Sequence, residues 1–112
     1  MEVRAVVKDT GVAPRKMRLL VDMVRGKKVD EALNLLRFTS SPSAKFVAKV
    51  IKSAAANAEN NFQVSTADLK IVRIFADQSR TLKRFRARSR GRASPVLRRS
   101  SHITVIVAEQ ES

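Results

Sequence analysis

Apolar positions along the chain fall into three helical stripes and three strand-like runs. Met17, Leu20, Val21 and Val24 recur at i, i+3, i+4 and i+7, one face of a helix. Pro14 suits its first turn, where proline's missing N–H costs nothing, and Gly26 ends it. Val29, Ala32, Leu33 and Leu36 repeat the spacing in a second helix, with Asp30 and Glu31 in its first turn, where the helix dipole favours anions. Ser40-Ser41-Pro42 predicts the next start, a serine cap followed by proline at the first helical position. The third helix then runs over roughly Ser43–Asn61, with Asn60-Asn61 as its stop. Val47, Ile51, Ala54 and Ala58 form one row, and Ala44, Ala48 and Ala55 a neighbouring one. So many small side chains predict close approach of another backbone.

Glu2–Lys8 is short and valine-rich, an edge-strand candidate. Leu69–Ala76 is β-branched and aromatic enough to be a strand. In a third run, Ile103, Val105 and Val107 alternate with His102, Thr104 and Ile106, the pattern of a half-buried strand. The stretch between the last two runs is too long for an unstructured loop in a compact domain. It becomes reasonable if the strands continue outward as a paired ribbon. Ten residues per side at about 3.3 Å each would project ~30 Å. A two-stranded ribbon is marginal alone in water, so this arm is expected to be mobile until bound.

Charge then gives the arm a purpose. The 112 residues carry 23 Lys and Arg against 10 Asp and Glu, a net +13. Nine of those bases (Arg80, Lys83, Arg84, Arg86, Arg88, Arg90, Arg92, Arg98 and Arg99) lie in one acid-free stretch. Such a segment repels itself and buries little, so it needs a polyanion. Its arginine bias points to phosphate, which guanidinium grips in a bidentate fork. Arg84, Arg86, Arg88, Arg90 and Arg92 alternate with Phe85, Ala87, Ser89, Gly91 and Ala93. On a strand this places all five guanidinium groups on one face and leaves the other small. On a helix Arg84, Arg88 and Arg92 would repel at i, i+4. A second group, Arg15, Lys16, Arg18, Arg25, Lys27 and Lys28, lies on and after the first helix with only Asp22 among it. It reads as a second phosphate-binding surface.

Composition narrows the alternatives. The length suits one domain with a modest core. With aromatics at 4% and no Trp or Tyr, the core must be Val, Ile, Leu and Ala. Scarce aromatics also argue against a platform for stacking unpaired bases. The absence of cysteine removes disulfides and thiolate metal sites and fits a reducing compartment. No apolar run approaches the roughly 20 residues that cross a bilayer, and the N-terminal stretch lacks a signal peptide's apolar segment, so a soluble intracellular protein is expected. A membrane surface fits poorly, because Leu82, Phe85, Val96 and Leu97 are broken up by Gly91 and Pro95. His102, the single histidine, stands in no run that pairs a nucleophile with a carboxylate and reads as structural. The acids Asp22, Asp30, Glu31, Glu59, Asp68 and Asp77 are scattered without metal-ligand spacing, and Gly11, Gly26 and Gly91 form no phosphate-cradling loop. No catalytic residue, metal or cofactor is expected.

Four ordered motifs carry a family resemblance. Lys83, Arg88, Ser89, Gly91 and Arg92, followed by His102, Ile103, Val105 and Val107, match a basic-hairpin pattern. Pro14, Lys16, Arg18 and Leu19 match a helix start. Arg25, Gly26, Lys27, Val29, Ala32 and Leu33 match the next turn and helix, and Ala56, Asn57, Ala58, Glu59 and Asn61 match a helix end. Over about Val6–Val107 the chain resembles the bacterial large-subunit ribosomal protein twenty-two family. The resemblance implies an α+β fold, three helices packed on a small antiparallel three-stranded sheet with a long extended β-hairpin. It implies one domain, 1–112, with a body over about 1–78 and 100–112 and the basic arm over about 79–99. It further implies a structural constituent of the large ribosomal subunit, cytoplasmic in a bacterium or housed in an organelle. Its partners would be large-subunit rRNA from several domains, neighbouring ribosomal proteins, and the nascent polypeptide. The hairpin tip (Arg88, Ser89, Arg90, Gly91, Arg92 and Ala93) would line the peptide exit tunnel beside the macrolide site. Both basic groups would bind rRNA and support assembly. With no helix face left over for a dimer, a monomer is expected outside the ribosome. The competing reading is a DNA-bending architectural protein, which also uses basic β-arms, with Phe85 and Pro95 as wedges.

Overall fold

The alternating run Ile103, Val105, Val107 becomes the centre of the sheet. The computed structural model describes residues 2–79, 82–87, 93–98 and 100–109. Its elements are β1 (Glu2–Val7), α1 (Pro14–Val24), α2 (Val29–Arg37), α3 (Ala44–Phe62), a 3-10 turn (Thr66–Asp68), β2 (Leu69–Gln78), β3 (Leu82–Ala87), β4 (Ala93–Arg98) and β5 (Ser101–Glu109). β5 lies between β1 and β2, antiparallel to both, while β3 and β4 pair as a separate hairpin sheet. This is the α+β arrangement that the resemblance implied, and it explains the alternation: a strand with neighbours on both sides and helices on one face buries every second residue.

Three cross-strand rows face the helices: Val3, Val107 and Ile71; Ala5, Val105 and Ile74; and Val7, Ile103 and Ala76. Against them pack Met17, Val21 and Val24 of α1, Val29 and Leu36 of α2, and Val47, Val50, Ile51, Ala54 and Ala58 of α3, all buried. The alanine-rich half of α3 does allow close approach, since α3 touches β1, β5 and α2 at once. Val50, which lies between the two rows read from the sequence, is fully buried as well. Ile103→Ala, at the middle of the third row, is expected to cost about 2–5 kcal/mol of stability, the range for removing a buried aliphatic side chain. Urea unfolding checks it.

Several details depart from periodicity. α3 starts at Ala44, with Ser43 at its N-cap in helical geometry and no side-chain cap bond, so Pro42 is not its first residue. Ser41 instead closes the preceding turn: its carbonyl accepts the Ala44 N–H at 3.1 Å and its hydroxyl the Ser43 N–H at 3.4 Å. At the other end the helix runs past Asn60-Asn61 to Phe62, and Gln63 turns left-handed at φ 56°. The Gln63 N–H donates to the Glu59 carbonyl and the Val64 N–H to that of Ala58, an arrangement that tucks Val64 into the core. Burial of Val64 thus decides where the helix stops. In β2 the pairing shifts between Ile71 and Arg73, a bulge that leaves Val72 and Arg73 both exposed. Without the extra residue, Ile74 and Ala76 would face solvent. Thr104 points away from the helices yet is buried, since it lies opposite Val6 on one neighbour and Phe75 on the other.

The radius of gyration is 17.2 Å and the longest dimension 67 Å, against a radius of about 13 Å for a compact chain of this length. Among the described residues, no helix is long and apolar enough to cross a membrane.

Candidate nucleic-acid interface

The most basic stretch of the sequence is built as a ribbon. β3 and β4 pair without interruption from Leu82 opposite Arg98 to Ala87 opposite Ala93. The ladder therefore carries Lys83, Arg84 and Arg86 on one strand and Arg98 on the other. Ala93, expected at the tip, opens β4. Arg80, Arg88, Ser89, Arg90, Gly91, Arg92 and Arg99 lie outside the described residues. The body's ladder ends at Gln78 opposite Ser101, and beyond it the Ser79 N–H still donates to the Ser100 carbonyl at 2.9 Å. Between the pairs Gln78–Ser101 and Leu82–Arg98 the β2–β3 side advances one residue more than the β4–β5 side, so arm and body keep separate registers.

The second basic group lies where α1 turns into α2. Arg15, Lys16 and Arg18 are exposed, off the buried stripe of α1, and Arg25 caps its C-terminus. Two of these arginines also do something that sequence spacing did not reveal. Arg18 Nε donates to the Ala76 carbonyl at 3.3 Å, and Arg25 Nη2 to the Ile74 carbonyl at 2.9 Å. β2 is an edge strand, and an edge exposes unpaired carbonyls that invite another chain. Further along that edge the Lys27 carbonyl accepts the Ile71 N–H at 2.9 Å, with Lys28 bridged to Lys70. One loop backbone and two guanidinium groups thus seal the strand from Lys70 to Ala76. Arg25 also pairs with Asp22 at 2.6 Å, but both side chains are more than half exposed, so that pair adds little. A guanidinium has five donors, so Arg18 and Arg25 keep N–H groups for an anion after serving the edge. Among the described residues, Arg15, Lys16 and Lys28 meet no carboxylate. Arg25→Ala is expected to lower stability by about 1 kcal/mol through the lost Ile74 bond, measurable by thermal unfolding.

Lys45, Lys49 and Lys52 form an exposed row on α3 that the sequence reading passed over. Their i, i+4, i+7 spacing was the available signal. Phe38, at the end of α2, is 85% exposed and borders a shallow groove of about 290 Å³ lined by Lys27, Glu31, Asn34 and Leu35. His102 takes part in the fold: its Nδ1 accepts the Asp9 N–H at 3.1 Å, tying the β1–α1 loop to β5. Among the described residues no cluster of potential metal ligands occurs.

The family model described as ribosomal protein L22p/L17e matches residues 5–108. The chain belongs to the ribosomal protein L22p/L17e family. It is 68% identical over 109 residues to the large ribosomal subunit protein uL22 of Dehalococcoides mccartyi, covering 97% of this chain and all of that protein. The protein of the same name from Pediococcus pentosaceus is 50% identical, covering 96% of this chain and 92% of its own. That from Desulforamulus reducens is 50% identical as well, covering 99% and 98%. Membership in the L22p/L17e family makes the chain a large-subunit ribosomal protein, located in the ribosome, with rRNA and ribosomal proteins as its partners. It sets aside the DNA-bending alternative. It also agrees with the expectation of a non-catalytic protein, since these relatives are ribosomal constituents.

Proposed function

We propose that the body, residues 1–78 and 100–112, docks on large-subunit rRNA while the arm, residues 79–99, carries the dominant ionic contacts into the RNA. The observation that supports this reading is the uninterrupted β3–β4 ladder within the most basic stretch of the chain. A two-stranded ribbon presents charge along its whole length and is slender enough to enter between RNA segments, where a folded lobe would not fit. The contacting residues are Lys83, Arg84, Arg86 and Arg98 of the ladder, Arg80, Arg88, Arg90, Arg92 and Arg99 beside it, and Arg15, Lys16, Arg18, Arg25, Lys27 and Lys28 of the body. Binding by both groups supports subunit assembly. The tip, residues 88–93, lines the nascent peptide exit tunnel and meets the passing polypeptide. The compartment is that of the ribosome, the cytoplasm of a bacterium or the interior of an organelle.

Affinity is then mainly ionic and distributed. For eight to twelve neutralised phosphates, each contributes a slope of roughly −0.7 to −0.9 to log K against log salt. Single changes such as Arg84→Ala, Arg86→Ala or Arg98→Ala should each cost about 1–3 kcal/mol. Filter binding to large-subunit rRNA across a salt series measures both, and a salt-independent dissociation constant would overturn the reading. Co-sedimentation with the large subunit, abolished by RNase and untouched by DNase, is the matching result in an extract.

A further inference from the structure

Where the arm leaves the body, the loop between β1 and α1 reaches across to hold it. Three successive backbone N–H groups of that loop meet three successive residues at the start of β5. The Asp9 N–H donates to His102 Nδ1 at 3.1 Å, the Thr10 N–H to the Ser101 carbonyl at 3.1 Å, and the Gly11 N–H to Ser100 Oγ at 2.9 Å. The loop bends into this position through two left-handed residues, Asp9 at φ 52° and Gly11 at φ 77°. For a residue other than glycine such a conformation is uncommon and is held by its surroundings. Asp9 also grips the incoming strand, its carboxylate accepting the Ser79 hydroxyl. One loop thereby touches both strands of the arm at their root.

Its centre is a buried hydroxyl pair. Thr10 is 8% exposed and Ser101 fully buried, with their side-chain oxygens 2.9 Å apart. Ser101 donates its proton to the Val12 carbonyl at 2.8 Å, so the Thr10 hydroxyl supplies the proton between the two. Thr10 Oγ1 in turn accepts the Val12 N–H at 3.2 Å. Each buried hydroxyl both donates and accepts, and a fully satisfied buried network of this kind specifies one arrangement. None of it adds to the apolar core, and none of it lies on the arm's charged ladder.

We propose that this loop, residues 9–12, sets the direction in which the arm leaves the body, with Thr10 and Ser101 as positioning residues for the arm's RNA contacts. A two-stranded ribbon continuing from a three-stranded sheet can bend and twist at the point where its third neighbour ends. The loop supplies that neighbour as far as Ser100, and the change of register follows immediately after. The clasp thus removes orientations that the RNA would otherwise have to select. The link to RNA rests on the proposed function, whereas the positioning of the arm does not.

Paired nitroxide labels on Lys52→Cys and Ala87→Cys test it by pulsed electron–electron distance measurement, and the absence of native cysteine makes the labelling clean. A ribbon without such a clasp would be mobile until bound, whereas with it the doubly labelled protein and its Thr10→Ser variant are expected to give one narrow distance distribution. Thr10→Val with Ser101→Ala should broaden it at least about twofold while cooperative thermal unfolding persists. If a tenth of molecules then hold the competent orientation, affinity for large-subunit rRNA falls about tenfold. An unchanged distribution in the double variant overturns the proposal. Should that variant fail to fold, Ser100→Ala removes only the surface bond to Gly11, and it must broaden the distribution or the proposal fails. A broadened distribution with unaltered rRNA affinity would keep the clasp and contradict RNA binding by the arm instead.

Discussion

Deleting residues 81–97 and closing the strands with a short turn is expected to leave the body folded and to weaken large-subunit rRNA binding by roughly 100-fold or more at 0.1 M salt. The core draws on Val3 through Ala76 and on Ile103, Val105 and Val107, with the clasp at Thr10 and Ser101 closing its end, so the deletion removes none of the packing described above. It does remove Lys83, Arg84, Arg86, Arg88, Arg90 and Arg92. If all six neutralise phosphates, the slope of log K against log salt becomes shallower by roughly four to five. Residual binding should come from the basic cluster of α1 and its following turn, with Arg80, Arg98 and Arg99 also retained, and Lys16→Ala in the shortened chain should weaken it further. Calorimetry distinguishes the alternatives: loss of cooperative unfolding on deletion would make the arm part of the core.

The second large effect is expected at the tip. The ladder closes at Ala87 opposite Ala93, leaving Arg88, Ser89, Arg90, Gly91 and Arg92 to connect the strands. Connections of this length favour a glycine, which reaches positive φ without a Cβ clash. Gly91→Asp adds both a side chain and a negative charge among arginines. Ribosomes assembled with it should show altered pausing on an arrest peptide while subunit assembly and bulk elongation stay near normal. Removing Leu82-Lys83-Arg84 takes an odd number of residues from β3, so every later side chain of the strand changes face and the tip is displaced. That change is expected to alter macrolide response more than Gly91→Asp does. Unchanged pausing, together with no crosslink from position 91 to a nascent chain, would remove the tip from the tunnel.

What could be read from the sequence divides along a physical line. The stripe Met17, Leu20, Val21, Val24 and the alternation in β5 are repeated patterns imposed by one face meeting a core, so periodicity exposes them. Gly26 at φ 78° and Pro14 at the start of α1 carry their geometry in their own covalent structure. The basic ribbon was legible because two strand patterns frame it and its arginines alternate with small residues at the period of a strand. By contrast, the bulge at Val72 and Arg73 depends on which residues of β5 lie opposite. The bonds from Arg18 and Arg25 to β2 span 58 and 49 residues of sequence, and the Thr10–Ser101 pair spans 91. Such contacts join ordinary polar residues to partners that only the fold brings near, and no local pattern marks them. Arginines 18 and 25 looked like the rest of their cluster, although they also close a sheet edge.

Directed hydroxyl-radical probing in the assembled large subunit bears most directly on the arm's role. Iron tethered through Ala87→Cys, at the far end of the β3–β4 ladder, should cut large-subunit rRNA at positions well separated from those cut through Lys16→Cys on α1. Cuts confined to the neighbourhood of position 16, with none from position 87 in a fully occupied subunit, would mean that the basic ribbon does not enter the RNA.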